Sequence, residues 1–345
     1  MTSTFGITIP HGPRFEPRLA HTFASLAAQP VPVKVALCDA SDDRRVHVLA
    51  DRYAPLIAYR RHGPDAGQSA AINEGWEALD TDVLGWLNAD DCLSPNALAT
   101  VAAAFVAEPQ TDVFYGQSLI ANDQGHIIGV HPAIKPPSDR LYRDDIISQP
   151  SCFVRSGAVR SVGGVGDNLH YVMDWDLWCR LYEAGARFTM TKEVLSLVVW
   201  AADTKTANLF GRRFSEIDSV LKARVGPVAR ATSLASFTKF HLLQYGPRGR
   251  KDHQTYKEPW KDVVDGSDVI RLPVFTYKDD VKKIRAVLSE AGPVCLSTQD
   301  ETVRGDAPFV DATLLLDPAS ESEVVLTAPN VAARLSSLML IDATD

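Results

Sequence analysis

"GWLNADD", residues 85–91, runs from apolar and small residues straight into an asparagine and two adjacent aspartates. The apolar half reads as a buried strand, "VLGWLN" over 83–88. The acidic half then sits at the carboxyl end of that strand. Paired carboxylates in such a place have two readings. They cap the helix that opens at Ser94-Pro95, or they offer hard oxygen ligands to a divalent cation carrying a diphosphate. Ser94 is itself a good N-cap, so capping does not require two further acids.

Working outward, the strand is one of a series. "FGITIP" (5–10), "VKVALCD" (33–39) and "LIAYR" (56–60) read as strands before it. Between them lie helical stripes: Leu19, Phe23, Leu26 and Ala27, then Val46, Leu49, Ala50 and Tyr53, then Ile72, Gly75, Trp76 and Leu79. Strand–helix alternation of this kind predicts an α/β fold with a mostly parallel, Rossmann-like sheet flanked by helices. Ligands bind such sheets at the carboxyl ends of the strands. "CDASDD" (38–43), "HGPDAGQS" (62–69) and "GWLNADD" all fall there.

After Asp112 the pattern changes. Residues 112–130 read as a hairpin turning at "NDQG". "QPSCFVR" (149–155) and "VLSLVVW" (194–200) are strands, and "YVMDWDLWCRLYEAG" (171–185) is a helix closed by Gly185. "VGP" near residue 225 marks the edge of a first domain, 1–225. Residues 226–266 read as a helix followed by a polar linker, and 267–345 as a small α/β domain in which "DDVKKIRAVLSEAG" is the helix-like piece.

Composition narrows the function classes. The chain has 345 residues, 46% of them hydrophobic, and a formal net charge of −8. That balance argues against nucleic acid or an anionic membrane as partner. No apolar run approaches the roughly 20 residues needed to span a bilayer. "MTSTFGITIP" lacks a basic, then apolar, leader pattern. The five cysteines are dispersed and form no metal spacing, which reads as reduced thiols in a cytoplasmic protein.

"PDAGQSAAINEGW" (64–76) adds a glycine turn and two polar residues, Gln68 and Asn73, at the start of an otherwise buried helix. Alone it is also an ordinary loop and helix start. Taken in order, seven stretches resemble glycosyltransferase family 2 on the GT-A fold. They are "ITIP" (7–10), "CDASDD" (38–43), "DAGQSAAINEGW" (65–76), "GWLNADD" (85–91), "QPSCFVR" (149–155), "MDWDLW" (173–178) and "TKT" (204–206). The resemblance covers 1–207.

The resemblance implies an inverting transferase that uses a nucleotide-sugar, UDP-linked in the first instance, with Mg²⁺ or Mn²⁺ as cofactor. It aligns Asp90 and Asp91 with the residues that meet donor ribose and metal, and Asn88 with a position where many members have a first aspartate. Asp39 and Asp65 match the acids that recognise uracil or ribose. Pro10 and His11 fall where the first strand meets the nucleotide, and Gln68 and Asn73 match donor-pocket positions. "MDWDLW" matches the motif of the catalytic base. Helical spacing places Asp174 with Leu177, Trp178 and Leu181, on the inward face, and sets Asp176 four residues before Arg180 for an outward ion pair. Asp174 is therefore preferred as base.

One departure stands out. Ala201 occupies the position where members commonly carry a histidine, while Thr204 and Lys205 remain, with Lys205 available to neutralise diphosphate. The expected partners are the nucleotide-sugar and a glycan or glycoconjugate acceptor. Peripheral membrane contact through Arg248–Lys251, Tyr256 and Trp260 is weighed against a solvated loop, and the loop is favoured. Two other functions compete. A sugar nucleotidyltransferase would need a glycine-rich basic loop after the first strand, and "PHGPRFEPR" is a poor one. A non-catalytic nucleotide- or sugar-binding module would not need both acidic motifs.

Overall fold

The computed structural model describes residues 3–94, 96–121, 127–131, 133–135, 139–200, 211–245, 269–274, 280–288, 293–298, 301–306, 309–316, 322–327 and 335–342. The chain begins with β1 (Phe5–His11), α1 (Leu19–Ala27), β2 (Val33–Asp39), α2 (Arg44–Arg52), β3 (Ile57–His62), α3 (Gln68–Ala78) and β4 (Val83–Trp86). β1, β2 and β4 are buried along most of their length, as continuous apolar runs in a covered parallel sheet should be. β1 pairs in parallel with β2 on one side and β4 on the other, and β2 with β3.

The order β3-β2-β1-β4 therefore reverses direction at β1. The chain winds outward from β1 to β3, then returns to place β4 on β1's other flank. Such a reversal leaves a crevice at the carboxyl ends of the two central strands, because their outgoing connections diverge to opposite faces. His11 ends β1, and Asn88–Asp91 follow β4.

Beyond β4 the sheet is mixed. After β5 (Cys92–Leu93) and α4 (Ala97–Ala107) come β6 (Val113–Ala121), β7 (Ile127–His131), β8 (Cys152–Arg155), α5 (Ser156–Ser161), α6 (Met173–Glu183) and β9 (Phe188–Val199). The path continues β4-β8-β6-β9-β5, with β7 on β6. β6 and β7 form the expected antiparallel hairpin, whose turn residues 122–126 lie outside the described residues. β8 runs antiparallel to both β4 and β6. The expected parallel character thus holds for the first four strands.

Two cores flank the sheet. Phe23, Leu26, Val46, Leu98 and Phe105 cover one face. Trp76, Trp86, Trp175 and Trp178 fill the other, joined by Ile217 and Leu221 of α7 (Arg212–Arg224). Trp175 and Trp178 are completely buried. Each fully buried large side chain stabilises by about 1.5–3 kcal/mol, which fixes α6 against the sheet. α8 (Pro227–Tyr245) follows and packs onto this core, with the Phe237 ring 5.5 Å from that of Trp175. Among the described residues, no helix is long and apolar enough to cross a membrane.

The described C-terminal elements are all strands. β10 (Val269–Val274), β11 (Asp280–Leu288), β12 (Val294–Ser297), β13 (Thr302–Gly305), β14 (Phe309–Leu316), β15 (Ser322–Thr327) and β16 (Leu335–Asp342) form two antiparallel sheets, β10-β15-β12-β13 and β14-β11-β16. Residues 280–288, expected to be helical, are instead the central strand of the second sheet. Val281, Ile284 and Leu288 fit a helical stripe, but Ile284, Ala286 and Leu288 fit an alternating one equally well. Pairing on both flanks decided between them. Residues 246–268, including the basic segment and Trp260, lie outside the described residues.

Candidate active site

Three parallel strands end side by side in a hydrogen-bonded cluster. His11 Nδ1 donates to Asp39 Oδ1 at 2.7 Å, and His62 Nδ1 donates to Asp39 Oδ2 at 2.6 Å. Ser41 adds its backbone N–H at 2.9 Å and its hydroxyl at 2.7 Å to Oδ1. Burial by itself would raise the Asp39 pKa, but the donors from His11, Ser41 and His62 outweigh it and hold the carboxyl well below the usual range. Glu16 N–H donates to His11 Nε2, and Arg60 Nε to His62 Nε2, so both rings are engaged at each nitrogen. Pro10 and His11 are buried in β1.

His47 stacks on His62 with ring centres 3.7 Å apart. Asp39, His47 and His62 each bring a ligand atom within 4.8 Å of the others. The Arg60 guanidinium against His62 works against a second cation there.

The next cluster is built around the start of α3. Gly67 has φ +114°, a conformation that favours glycine, and Asp65 Oδ1 accepts its N–H at 2.9 Å. Asp65 Oδ2 accepts from Arg61 at 3.0 Å. That turn aims the first residues of α3 in two directions. Gln68 Nε2 donates to Asn88 Oδ1 at 2.8 Å, and Asn88 Nδ2 donates to Asp91 Oδ2 at 3.0 Å. Ser69 Oγ reaches the Leu169 carbonyl and Met173 Sδ, both at 3.2 Å. Adjacent residues of one helix thus hold the "NADD" segment and the start of α6.

Asp91 is buried. Its Oδ1 accepts from Val199 N–H at 3.3 Å, which ties it to the end of β9. Burial first, and the charge of Asp90 second, push its carboxyl well above the usual range, against the bonds from Asn88 and Val199. Asp91 and its neighbour Asp90 together offer carboxylate oxygens that fit a divalent cation, whose charge would offset the repulsion between them. Just past β9, Ala201, Thr204 and Lys205 fall outside the described residues.

Asn73 does not turn toward "NADD". Its Nδ2 donates to the Val165 carbonyl at 2.8 Å, its Oδ1 accepts from Val165 N–H at 2.9 Å, and Asp167 lies at 3.3 Å. It fastens the loop that leads into α6. On α6, Asp176 pairs with Arg180 at 2.7 Å, the ion pair expected from spacing, and with Arg224 at 2.9 Å. Among the described residues Asp174 makes no such close ion pair and feels Arg213 only electrostatically. Its Oδ1 accepts from Trp175 N–H at 2.9 Å, and burial raises its pKa against that bond.

Two residues had no role at the level of sequence. Gln149 receives Asn88 Nδ2 at 3.5 Å and donates to the Trp86 carbonyl at 2.6 Å. Its signal was its place in "QPSCFVR". Asp145 interacts electrostatically with Asp174, and nothing in "LYRDDIIS" announces it.

Residues 7–160 match the family model described as Glycosyl transferase family 2. That stretch, less than half of the chain, is similar to family 2 glycosyl transferases. Over 115 residues the chain is 37% identical to "O-antigen biosynthesis protein RfbC" of Myxococcus xanthus, a match that takes in 33% of this chain and 9% of that protein. The chain also has likenesses among solved structures. S. aureus TarS aligns at 11% identity and a TM-score of 0.49, over 96% of this chain and 73% of TarS. A mannosyltransferase, PcManGT from Pyrobaculum calidifontis in complex with GDP-Man and Mn²⁺, aligns at 14% identity and a TM-score of 0.47, over 73% of this chain and 74% of that one.

Proposed function

We propose that this protein is an inverting glycosyltransferase. It moves a sugar from a nucleotide-sugar, UDP-linked in the first instance, to a hydroxyl of a glycan or glycoconjugate. The observation that carries the reading is the Gln68–Asn88–Asp91 chain at the crevice where β1 and β4 end. It sets the buried Asp91 beside the half-buried Asp90 at the place where an α/β sheet binds its ligand, inside the stretch that resembles family 2. The name of the Myxococcus xanthus relative supports glycan synthesis as the setting.

In this reading Asp90 and Asp91 hold Mg²⁺ or Mn²⁺. The cation neutralises charge on the departing diphosphate when bound. The rest belongs to the chain. The carboxyl ends of β1, β2 and β3 form a stiff floor through His11, Asp39 and His62, and Asp65 shapes the turn beside it, for the nucleoside part of the donor. Gln68 and Asn88 orient Asp91. Asp174 takes the proton from the acceptor hydroxyl, a task suited to a carboxylate whose pKa burial has raised toward the working pH. Attack opposite the leaving group inverts the anomeric centre. Thr204 and Lys205 are assigned to the diphosphate.

Calorimetric titration with UDP, with and without Mn²⁺, tests the donor site. Metal-dependent binding by the wild type, lost in Asp91→Ala, is the expected result. Binding that ignores both metal and substitution would move the site elsewhere. For the base, Asp174→Asn should lower transfer by about 10²–10⁴-fold with nucleotide affinity retained. Unchanged transfer in that variant would remove Asp174 from the role.

A further inference from the structure

The segment that precedes β8 lies along α6. The Leu141 carbonyl accepts from Trp175 Nε1 at 2.6 Å and from the Cys179 thiol at 3.7 Å. Asp145 follows in the same segment, within electrostatic reach of Asp174 in the first turn of α6. The two carboxyl groups act on each other electrostatically. Asp145 also accepts from the backbone of Ile147. Its Oδ1, however, is closed off from solvent and has no hydrogen-bond partner.

A buried carboxylate oxygen with no donor is costly. The surroundings make full ionisation worse. Asp144 adds a third carboxyl on the same segment, and the buried thiols of Cys152 on β8, which faces both acids, and Cys179 on α6, which faces Asp145, supply no charge. The cation that faces both acids is Arg213 of α7. One guanidinium balances one carboxylate. Asp144 has its own cation in Arg140 at 3.6 Å, so the group of Asp145, Asp174 and Arg213 is neutral when a single proton stays with the acids.

We propose that Asp145 is a positioning residue for Asp174, and that the two carboxyl groups hold one proton between them, resting on Asp145. The orphaned oxygen is then part of a neutral acid, and Asp174 stays ionised beside it. The consequence for catalysis rests on the proposed role of Asp174 as base; the shared proton does not. Burial raises both acids above their ordinary range, Asp145 further under the charge of Asp174.

The sign of the linkage gives a test that needs no substrate. An acid whose pKa is raised on folding favours the fold when protonated. Its contribution is lost as pH climbs from the ordinary value near 3.9 through the raised one. Asparagine has no proton to lose. Thermal unfolding of the full chain is followed from acid to mildly alkaline pH for the wild type, Asp145→Asn and Asp174→Asn. The melting temperature of Asp145→Asn relative to wild type should rise with pH by about 2–4 °C or more. Asp174→Asn should show the same upward trend, because removing either acid relieves the same repulsion. A flat difference in both variants overturns the proposal. Should one variant fail to fold, the other reports on the same proton. A transferase assay that fails would leave this result standing, so the two claims are separable.

Discussion

Asn73→Ala separates two roles for one residue. Family resemblance assigns Asn73 to the donor pocket, whereas its amide holds both backbone groups of Val165, which is buried. A neutral hydrogen bond contributes about 0.5–1.5 kcal/mol net, and a buried partner left bare costs about 1–3 kcal/mol. The third contact, to Asp167 at 3.3 Å, is exposed and adds little. Two lost bonds, with partial access for water at this half-buried position, give an expected cost of about 2–4 kcal/mol. A surface substitution without such a role stays within about 0.5 kcal/mol. Urea unfolding should therefore show a lower midpoint at unchanged slope. The loop leads into α6, so transfer should also fall, by as much as about 10²-fold for a displacement near 1 Å. Nucleotide affinity should change by less than about threefold, under 1 kcal/mol. Affinity weakened more than about tenfold, with stability intact, would refute the reasoning and return Asn73 to the donor pocket.

Gly164→Ala probes the same loop from the other side. Gly164 has φ +72°, and a Cβ there would come within 2.5 Å of Asn73 Oδ1. The left-handed backbone alone costs an alanine about 1–2 kcal/mol, and the clash dislodges the Asn73 clamp. Thermal unfolding should show the loss, and an unchanged midpoint would count against the clamp. Asp39→Asn tests the strand-end cluster. Its carboxyl is held below the ordinary range, so its stabilisation is complete above about pH 4 and disappears as pH falls through the folded value. The wild type should lose stability in that acid window while the variant, already weaker at neutral pH by about 3 kcal/mol or more, changes less. Parallel acid curves would exclude the cluster as a source of stability.

Much of the first domain was legible because local pattern and tertiary demand agreed. Continuous apolar runs at 5–10, 33–39 and 83–88 became buried strands, since a strand covered on both faces leaves no place for polar residues. On α6 the spacing of Asp176 and Arg180 specified their ion pair, because residues four apart share a helix face. The C-terminal region was less legible. Residues 280–288 satisfy two periods at once, and strand pairing with residues distant in sequence chose the strand.

By itself the sequence determined the first four strands, which strand ends carry acids, and the family that residues 7–160 resemble. These are local properties, written in side-chain period and in short runs of polar residues. Only the tertiary structure decided what those residues touch. It turned Asn73 toward Val165, gave Asp39 two histidine donors from neighbouring strands, and set Asp145 within electrostatic reach of Asp174 across 28 intervening residues. No local period encodes such contacts. They depend on how α3 and α6 settle against the sheet, and that is set by the packing of Trp76, Trp86, Trp175 and Trp178 in one core.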